Sequence, residues 1–535
     1  MNHLSGTDAS FLHFETPEMP MHAGSLQIVD LPEGNAGDYC EDVKRCVAGR
    51  MHLADVFQRK LALMPFEQPN PVWLDDEDLD IYHRVRHVIL PRPGSWVQLE
   101  RAVARLHSGR PDRSRPRWET DVIEGLNTGQ MAIYNKMHHA AIDGQAGVAV
   151  TKALLGGSAV PAPIKPPRPR PRTNPYQLGA VERAGAALSN ALQQVVKIVK
   201  PLPATARAIA SVVHADGADG KRRLAMPEGL QRGPRTPLNL AITNQRAFAA
   251  RSLPLADIKL MAKRGGASPN DIVLAICPGA LKRHRAGDSF TPDGLRVAGV
   301  PVSFDEAGNT DPNNPVAMMM VSLATDVKYP LDRLHAIKAS ANAGKKLTGN
   351  CKRAIPTGLP ALGVPWLVSG AASLYGRSRL AERRPPIVNV AISNVPGSQH
   401  PLYFAGAKLA GFFSVSIPAH GIALNVAVPS YNGALEVGPT ACRRAMPDLT
   451  DLADPGVHEF ELLRGLIEAP ELAAPTAVAM TAAALPAVKA AVPASRMRAR
   501  PRVAATKPAA APPLPSPRIS AARCARRVNA ASHAT

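Results

Sequence analysis

The sequence predicts a mixed α/β protein of two globular domains, joined by an extended linker and followed by a low-complexity tail. Three observations carry this. At 535 residues the chain is too long for one hydrophobic core. Helical apolar spacing alternates with short apolar runs bounded by Gly, Pro and Asn in both halves. Two stretches rich in Pro, Arg and Ala have too little apolar content to pack, which fits 52 prolines beside only 4% aromatic residues. The expected boundaries are 1–160, 161–234 for the linker and crossover, 235–466, and 467–535 for a disordered tail.

In the first domain, residues 42–63 and 96–107 have amphipathic helical spacing, and residues 130–137 alternate as a strand does. A polar segment with two histidines follows, and then residues 146–155 resemble a helix ended by Gly156-Gly157. Residues 161–173 carry so many prolines that neither helix nor central strand can form. Residues 177–213 return to helical spacing, and residues 216–223 form a loop rich in Gly, Asp and Lys. In the second domain, residues 254–263 predict a helix, and another begins near Asn270-Asp271 and carries Ile272, Leu274, Ala275 and Leu281. Strands are expected at 297–302, 316–323, 387–392, 402–413 and 422–428, separated by turn residues.

A formal charge of +20 suggests nucleic acid until its position is considered. Residues 161–235 hold 13 Lys/Arg against 4 Asp/Glu, and residues 471–535 hold 10 against 1. The folded remainder is therefore close to neutral. Neither basic stretch interleaves aromatics with its charges, as base-stacking surfaces do, so an anionic lipid surface is the expected partner and nucleic acid is not. The six cysteines (Cys40, Cys46, Cys277, Cys351, Cys442, Cys524) form no CxxC pair, which points to a reducing compartment without structural zinc. The N-terminus lacks a signal-peptide pattern. The longest weakly polar run, residues 473–488, is broken by Pro475 and Pro486 and falls short of the roughly 20 residues a spanning helix needs. The expectation is a cytoplasmic protein in peripheral contact with membrane or lipid droplet.

The chemistry concentrates in His138-His139-Ala140-Ala141-Ile142-Asp143-Gly144. A neutral imidazole, with a reference pKa near 6.5, suits proton removal from a hydroxyl at neutral pH. Such a base needs a fixed tautomer and ring direction. Gly144 permits a tight turn, while Asp143 can contact the imidazole or hold the loop through a distant Arg. Adjacent histidines point differently and no third ligand stands at a recognisable spacing, which argues against a metal site. No Gly-x-Ser-x-Gly elbow, phosphate loop or dinucleotide fingerprint occurs.

Further residues give the motif a context. They are Leu4-Ser5, Asp8, Phe11, Glu15-Thr16-Pro17, Met21-His22 and Gly24; Pro71-Val72-Trp73; Asp112-Arg113-Ser114-Arg115-Pro116, Trp118-Glu119 and Ile123-Glu124-Gly125-Leu126. In the second half come Pro269-Asn270-Asp271-Ile272-Val273-Leu274-Ala275 and Val390 with Ser393-Asn394-Val395-Pro396-Gly397. Together with the histidine segment, over residues 3–465, these resemble the bacterial wax ester synthase/acyl-CoA:diacylglycerol acyltransferases.

The resemblance implies a two-domain chloramphenicol-acetyltransferase-like fold with mixed sheets and a channel between the domains. It implies His139 as general base, with His138 and Asp143 supporting its geometry, and no acyl-enzyme. The substrates would be a long-chain acyl-CoA and either diacylglycerol or a fatty alcohol, with no cofactor beyond the acyl-CoA co-substrate. Asn270 and Asp271 read as a helix cap that supports the site. Trp73 reads as packing or a substrate wall, and Asn394 with Gly397 as a turn; Trp73 and Asn394 are the candidates for substrate contact. Where the family shows Pro-Val-Ser-x-Arg, this chain has Pro301-Val302-Ser303-Phe304-Asp305. The departure puts in question a charge contact to the second domain or to the CoA phosphates, and it is the feature that favours the alternative readings of a different acceptor or a catalytically weak lipid-surface binding homologue.

Overall fold

A computed structural model of the chain describes residues 2–4, 6–32, 34, 37–62, 72–76, 78–142, 144–160, 163–164, 233–284, 297–303, 316–352, 378–379, 382, 386–447 and 449–468. The predicted linker helix at 177–213, the loop at 216–223, the tail, Asp143, Pro71, Phe304 and Asp305 lie outside the described residues.

The chain opens with β1 (Asn2–His3), α1 (Gly6–Phe14) and β2 (His22–Asp30). Asp38 caps α2 (Tyr39–Arg50), whose stripe of Tyr39, Cys40, Val43 and Val47 is buried. The helix predicted over 42–63 therefore stops at Arg50. Two 3-10 turns follow, then β3 (Arg59–Leu61) and β4 (Val72–Asp75). The spacing misled because Ala54 and Phe57 are buried in the same cluster as Val47, so apolar periodicity runs on after the helix has ended. Strand β1 pairs with β4, and β4 with β3, in a small antiparallel sheet.

Next come α3 (Ile81–Arg84), β5 (Val85–Ile89) and α4 (Trp96–Ser108), the last begun by a Ser95/Gln98 capping box close to the predicted start. Strands β6 (Trp118–Glu124) and β7 (Met131–His138) form the middle of the first large sheet, and every residue of β7 is buried. After a 3-10 turn, His139–Ala141, come α5 (Gly144–Leu154) and the short β8 (Leu155–Gly156). Helix α5 thus ends just before the double glycine, and Gly156 pairs in a strand instead of only terminating the helix.

The second half contributes β9 (Arg246–Phe248), β10 (Arg251–Pro254), α6 (Leu255–Arg264), α7 (Pro269–His284), β11 (Val297–Ser303), β12 (Val316–Ser322) and α8 (Pro330–Lys352). It closes with β13 (Val390–Val395), β14 (Tyr403–Phe404), β15 (Ala407–Val415), β16 (Leu424–Tyr431), β17 (Ala434–Cys442) and α9 (Thr450–Glu468). The single strand predicted over 402–413 is two strands, because Ala405 and Gly406 take φ of 46° and 87° and turn the chain back.

Two seven-stranded mixed sheets result. The second runs β10-β17-β16-β13-β11-β12 with β9 also on β17, and α6, α7 and α9 pack on one another beside it. The first runs β5-β6-β7-β2-β15-β14-β8, so two strands from residues 403–415 complete a sheet otherwise made from the first half. Strand β15 pairs with β2 from Lys408 opposite Asp30 to Val415 opposite Gly24. The segment before β2 crosses the other way: Met19 and Met21 are buried in the core of the second half. Among the described residues no helix is long and apolar enough to cross a membrane.

Candidate active site

Strand β7 carries the histidine pair to the end of the first sheet, where β2 begins. His138 lies opposite His22 in the β2–β7 register, and His139 starts the 3-10 turn. Backbone bonds hold the turn in place: the His139 N–H donates to the Met21 carbonyl at 2.8 Å, and the Ile142 N–H donates to the His139 carbonyl at 3.2 Å. The His139 ring stacks on Phe11 of α1, with centroids 4.0 Å apart and planes 18° apart. Burial lowers the His139 pKa below 6.5, against smaller opposing effects from its own backbone and from Asp8. Its imidazole is therefore neutral at pH 7 and able to accept a proton.

His138 is fully enclosed. Its Nδ1 accepts the Ala140 N–H at 3.1 Å, so Nε2 carries the proton. That Nε2 is 3.3 Å from Oε1 of Glu15, within ionic reach but off the line of a good hydrogen bond. Burial outweighs the carboxylate's pull and brings the His138 pKa down to about 4. At neutral pH a carboxylate thus faces a neutral imidazole, and the contact is not an ion pair. Burial alone would raise the Glu15 carboxyl, but the His138 Nε2–H that faces it and the charge and hydrogen bond of Arg117 hold it well below the carboxylate range. Oε2 of Glu15 accepts from Arg117 Nη2 at 2.8 Å and from Arg113 Nη2 at 2.7 Å.

A second buried chain ties this corner to the other half. His22 Nε2 donates to the His107 carbonyl at 2.8 Å. His107 accepts the Tyr134 hydroxyl at Nδ1 (2.7 Å) and donates from Nε2 to the Ser416 carbonyl (2.9 Å). Burial first, then the nearby Arg246 charge, brings His107 to about 3, and burial holds His22 well below 6.5. Both rings are neutral structural groups. Arg246 adds to the seam by donating to the Glu18 carbonyl at 3.1 Å.

The other predicted residues fall in different places. Gly144 begins α5. Trp73 is partly buried in a small apolar cluster with Ala140, Phe11 and Leu12, beside the histidine turn. Asp271 is in the second half, where its Oδ2 accepts from the Ser268 N–H (2.8 Å) and hydroxyl (2.7 Å) at the start of α7, with Asn270 alongside. That geometry is a helix cap. Asn394 is within β13, opposite Val428 of β16, and Gly397 follows where a Cβ would meet the Ser430 carbonyl at 2.2 Å. The histidine turn therefore gathers His138, His139 and Trp73; Asn270, Asp271 and Asn394 belong to the second sheet and its helices. Glu15, Arg117 and Phe11 are neighbours of the histidines to which sequence reasoning gave no role.

A cavity of about 200 Å³ lies between α5 and the sheet face, lined by Ser25, Gln27, Asn135, Ile142, Val150 and Phe412 among others. A larger one, about 500 Å³, is at the β8–β14 edge beside Cys46 and Tyr403 and touches none of the histidine segment. Among the described residues no three His, Cys, Asp or Glu side chains converge in a metal-binding group.

Comparison with known proteins agrees with the motif resemblance. Residues 4–273 match the wax ester synthase/diacylglycerol acyltransferase catalytic domain, and residues 313–464 match the WS/DGAT C-terminal domain. A Mycobacterium tuberculosis protein provisionally named diacylglycerol O-acyltransferase is 34% identical over 444 residues, covering 83% of this chain and 95% of that one. A second from the same organism, also provisionally named so, is 32% identical over 459 residues, covering 84% and 96%. The solved wax ester synthase/diacylglycerol acyltransferase from Marinobacter aquaeolei VT8 superposes with a TM-score of 0.62 at 30% identity, over 87% of this chain and all of the other. With both family domains matched in order and the histidine turn at the seam of a like fold, the chain belongs to the wax ester synthase/diacylglycerol acyltransferase family and is an acyltransferase acting on lipid acceptors.

Proposed function

We propose that the protein moves a long-chain acyl group from acyl-CoA to the free hydroxyl of diacylglycerol, with His139 as general base and no covalent acyl-enzyme. The observation that carries the base assignment is the environment of His139: a ring stacked on Phe11, tethered by its backbone to Met21 and kept neutral by burial. The imidazole takes the hydroxyl proton as the oxygen attacks the thioester carbonyl. The tetrahedral intermediate collapses, the C–S bond breaks, and the imidazolium returns its proton to the leaving thiolate. Triacylglycerol and free CoA result, and no further cofactor takes part. The names of the mycobacterial relatives favour diacylglycerol as acceptor. A fatty alcohol, giving a wax ester, is the second reading, kept open by the Marinobacter enzyme's name, which carries both activities. Peripheral contact with an anionic membrane or droplet surface, through the basic segments at 161–235 and 471–535, belongs to the same proposal.

The test supplies labelled long-chain acyl-CoA with diacylglycerol and a fatty alcohol in competition. Diacylglycerol is expected to take most of the label, and the opposite partition selects the second reading. His139→Ala is expected to lower turnover by about 10²–10⁴-fold; unchanged turnover would refute the base.

A further inference from the structure

We propose that Glu15 is the positioning residue of the site: one carboxylate fixes both backbone tethers of His139. This rests on His139 being the base. The first tether runs through His138. Glu15 Oε1 faces Nε2 of His138 at 3.3 Å, which favours the tautomer whose Nδ1 is free to accept the Ala140 N–H at 3.1 Å. Ala140 is the residue after His139, so this bond sets the first peptide of the turn. The second tether runs through Met21. Its N–H approaches Glu15 Oε1 at 3.5 Å, and its carbonyl accepts the His139 N–H at 2.8 Å.

Glu15 is itself fixed. Its side chain is fully buried, and Oε2 is held by Arg117, equally buried, and by Arg113, half exposed. A buried carboxylate needs such partners to remain charged. It also lies one residue beyond α1, the helix whose Phe11 stacks on the His139 ring. One short segment therefore supplies both the ring's stacking partner and the group that sets its backbone. Glu15 touches no reacting atom here; it acts through His138 and Met21, as an orienting acid acts on a catalytic imidazole.

The test is Glu15→Gln, which keeps the shape and removes the charge. The expected result is a fall in kcat of about 10–100-fold with KM for acyl-CoA little changed. In ¹⁵N-resolved NMR the His138 ring is expected to leave a single Nε2–H form for a mixture of tautomers, a signature that a loss of packing alone would not give. Glu15→Asp is expected to recover part of the rate. Because Glu15→Gln leaves Arg117 buried without its partner, the double variant Glu15→Gln/Arg117→Met carries the same readouts if the single one does not fold. His138→Asn keeps an acceptor for Ala140, so adding Glu15→Gln to it should cost less than the product of the two separate effects. Wild-type kcat per folded molecule in Glu15→Gln, an unchanged His138 tautomer, or a full product of effects would overturn the proposal. His139→Ala in the same assay separates the two readings: if it alone is inactive, the base stands and the Glu15 role falls.

Discussion

Replacing Phe11 with Ala tests whether burial sets the proton affinity of His139. The ring covers one face of the imidazole at 4.0 Å, nearly parallel. Removing it admits water to that face and relieves the desolvation that lowers the pKa. The sign follows from the role proposed for His139: a base works only when unprotonated, so the activity it supports is present above its folded pKa and lost below it. In the wild type that acid limb lies below 6.5, and in Phe11→Ala it should move up towards 6.5. At pH 6 an imidazole of pKa 6.5 is only about one quarter neutral, so the variant should fall roughly fourfold from its own plateau at pH 8, and the wild type less. Loss of a partly buried aromatic should also cost about 1–3 kcal/mol of stability, so rates are normalised to folded protein. The assay is kcat/KM from pH 5 to 8.5 with labelled acyl-CoA. A plateau lowered uniformly with the limb unmoved, or a limb moved to lower pH, would refute the reasoning.

Two further outcomes concern stability. Tyr134→Phe removes the hydroxyl that donates to His107 Nδ1, leaves that buried nitrogen unpaired and should cost about 1–3 kcal/mol in chemical denaturation. Glu436, buried on β17 and bonded to the Ser252 hydroxyl, has its pKa pushed up to about 7 by burial, an effect only partly offset by that bond. The folded state therefore prefers the protonated acid, and stability is lost as pH rises from the unfolded carboxyl range through about 7. At about 1.4 kcal/mol per pKa unit, Glu436→Gln should gain on the order of 3 kcal/mol over wild type at pH 8 and little at pH 4.5; equal stability differences at both values would contradict this.

The histidine segment was legible because two polar residues end an apolar run, the pattern of a strand delivering side chains to a turn. The environment of the histidines was not. Glu15 meets Arg117 and His138 across more than one hundred residues of chain, and no local spacing encodes such a meeting. The opening and the Asp112–Pro116 stretch were legible only as family signatures; the structure shows that they supply Phe11, Glu15 and Arg113 to one corner. Helix α2 was overextended because burial periodicity continues through turns. Strand β17 had a readable signal in Asn432-Gly433, whose positive φ values make the hairpin with β16. The division at Ala405-Gly406 had a weaker one, since Ala at positive φ is not a turn signature.

The strand exchange has a consequence for the order of synthesis. A ribosome releases the first sheet's β2, β6 and β7 early, yet the partner along β2 is Ala407–Val415. Until residues 415 and 416 have emerged, β2 has an open hydrogen-bonding edge and buried His107 lacks the Ser416 carbonyl that receives its Nε2–H. The nascent first half must therefore wait, exposed, for a segment made much later. The first sheet is therefore expected to close only once residue 415 has emerged, instead of domain by domain from the N-terminus, and the histidine corner should be among the later parts to become ordered.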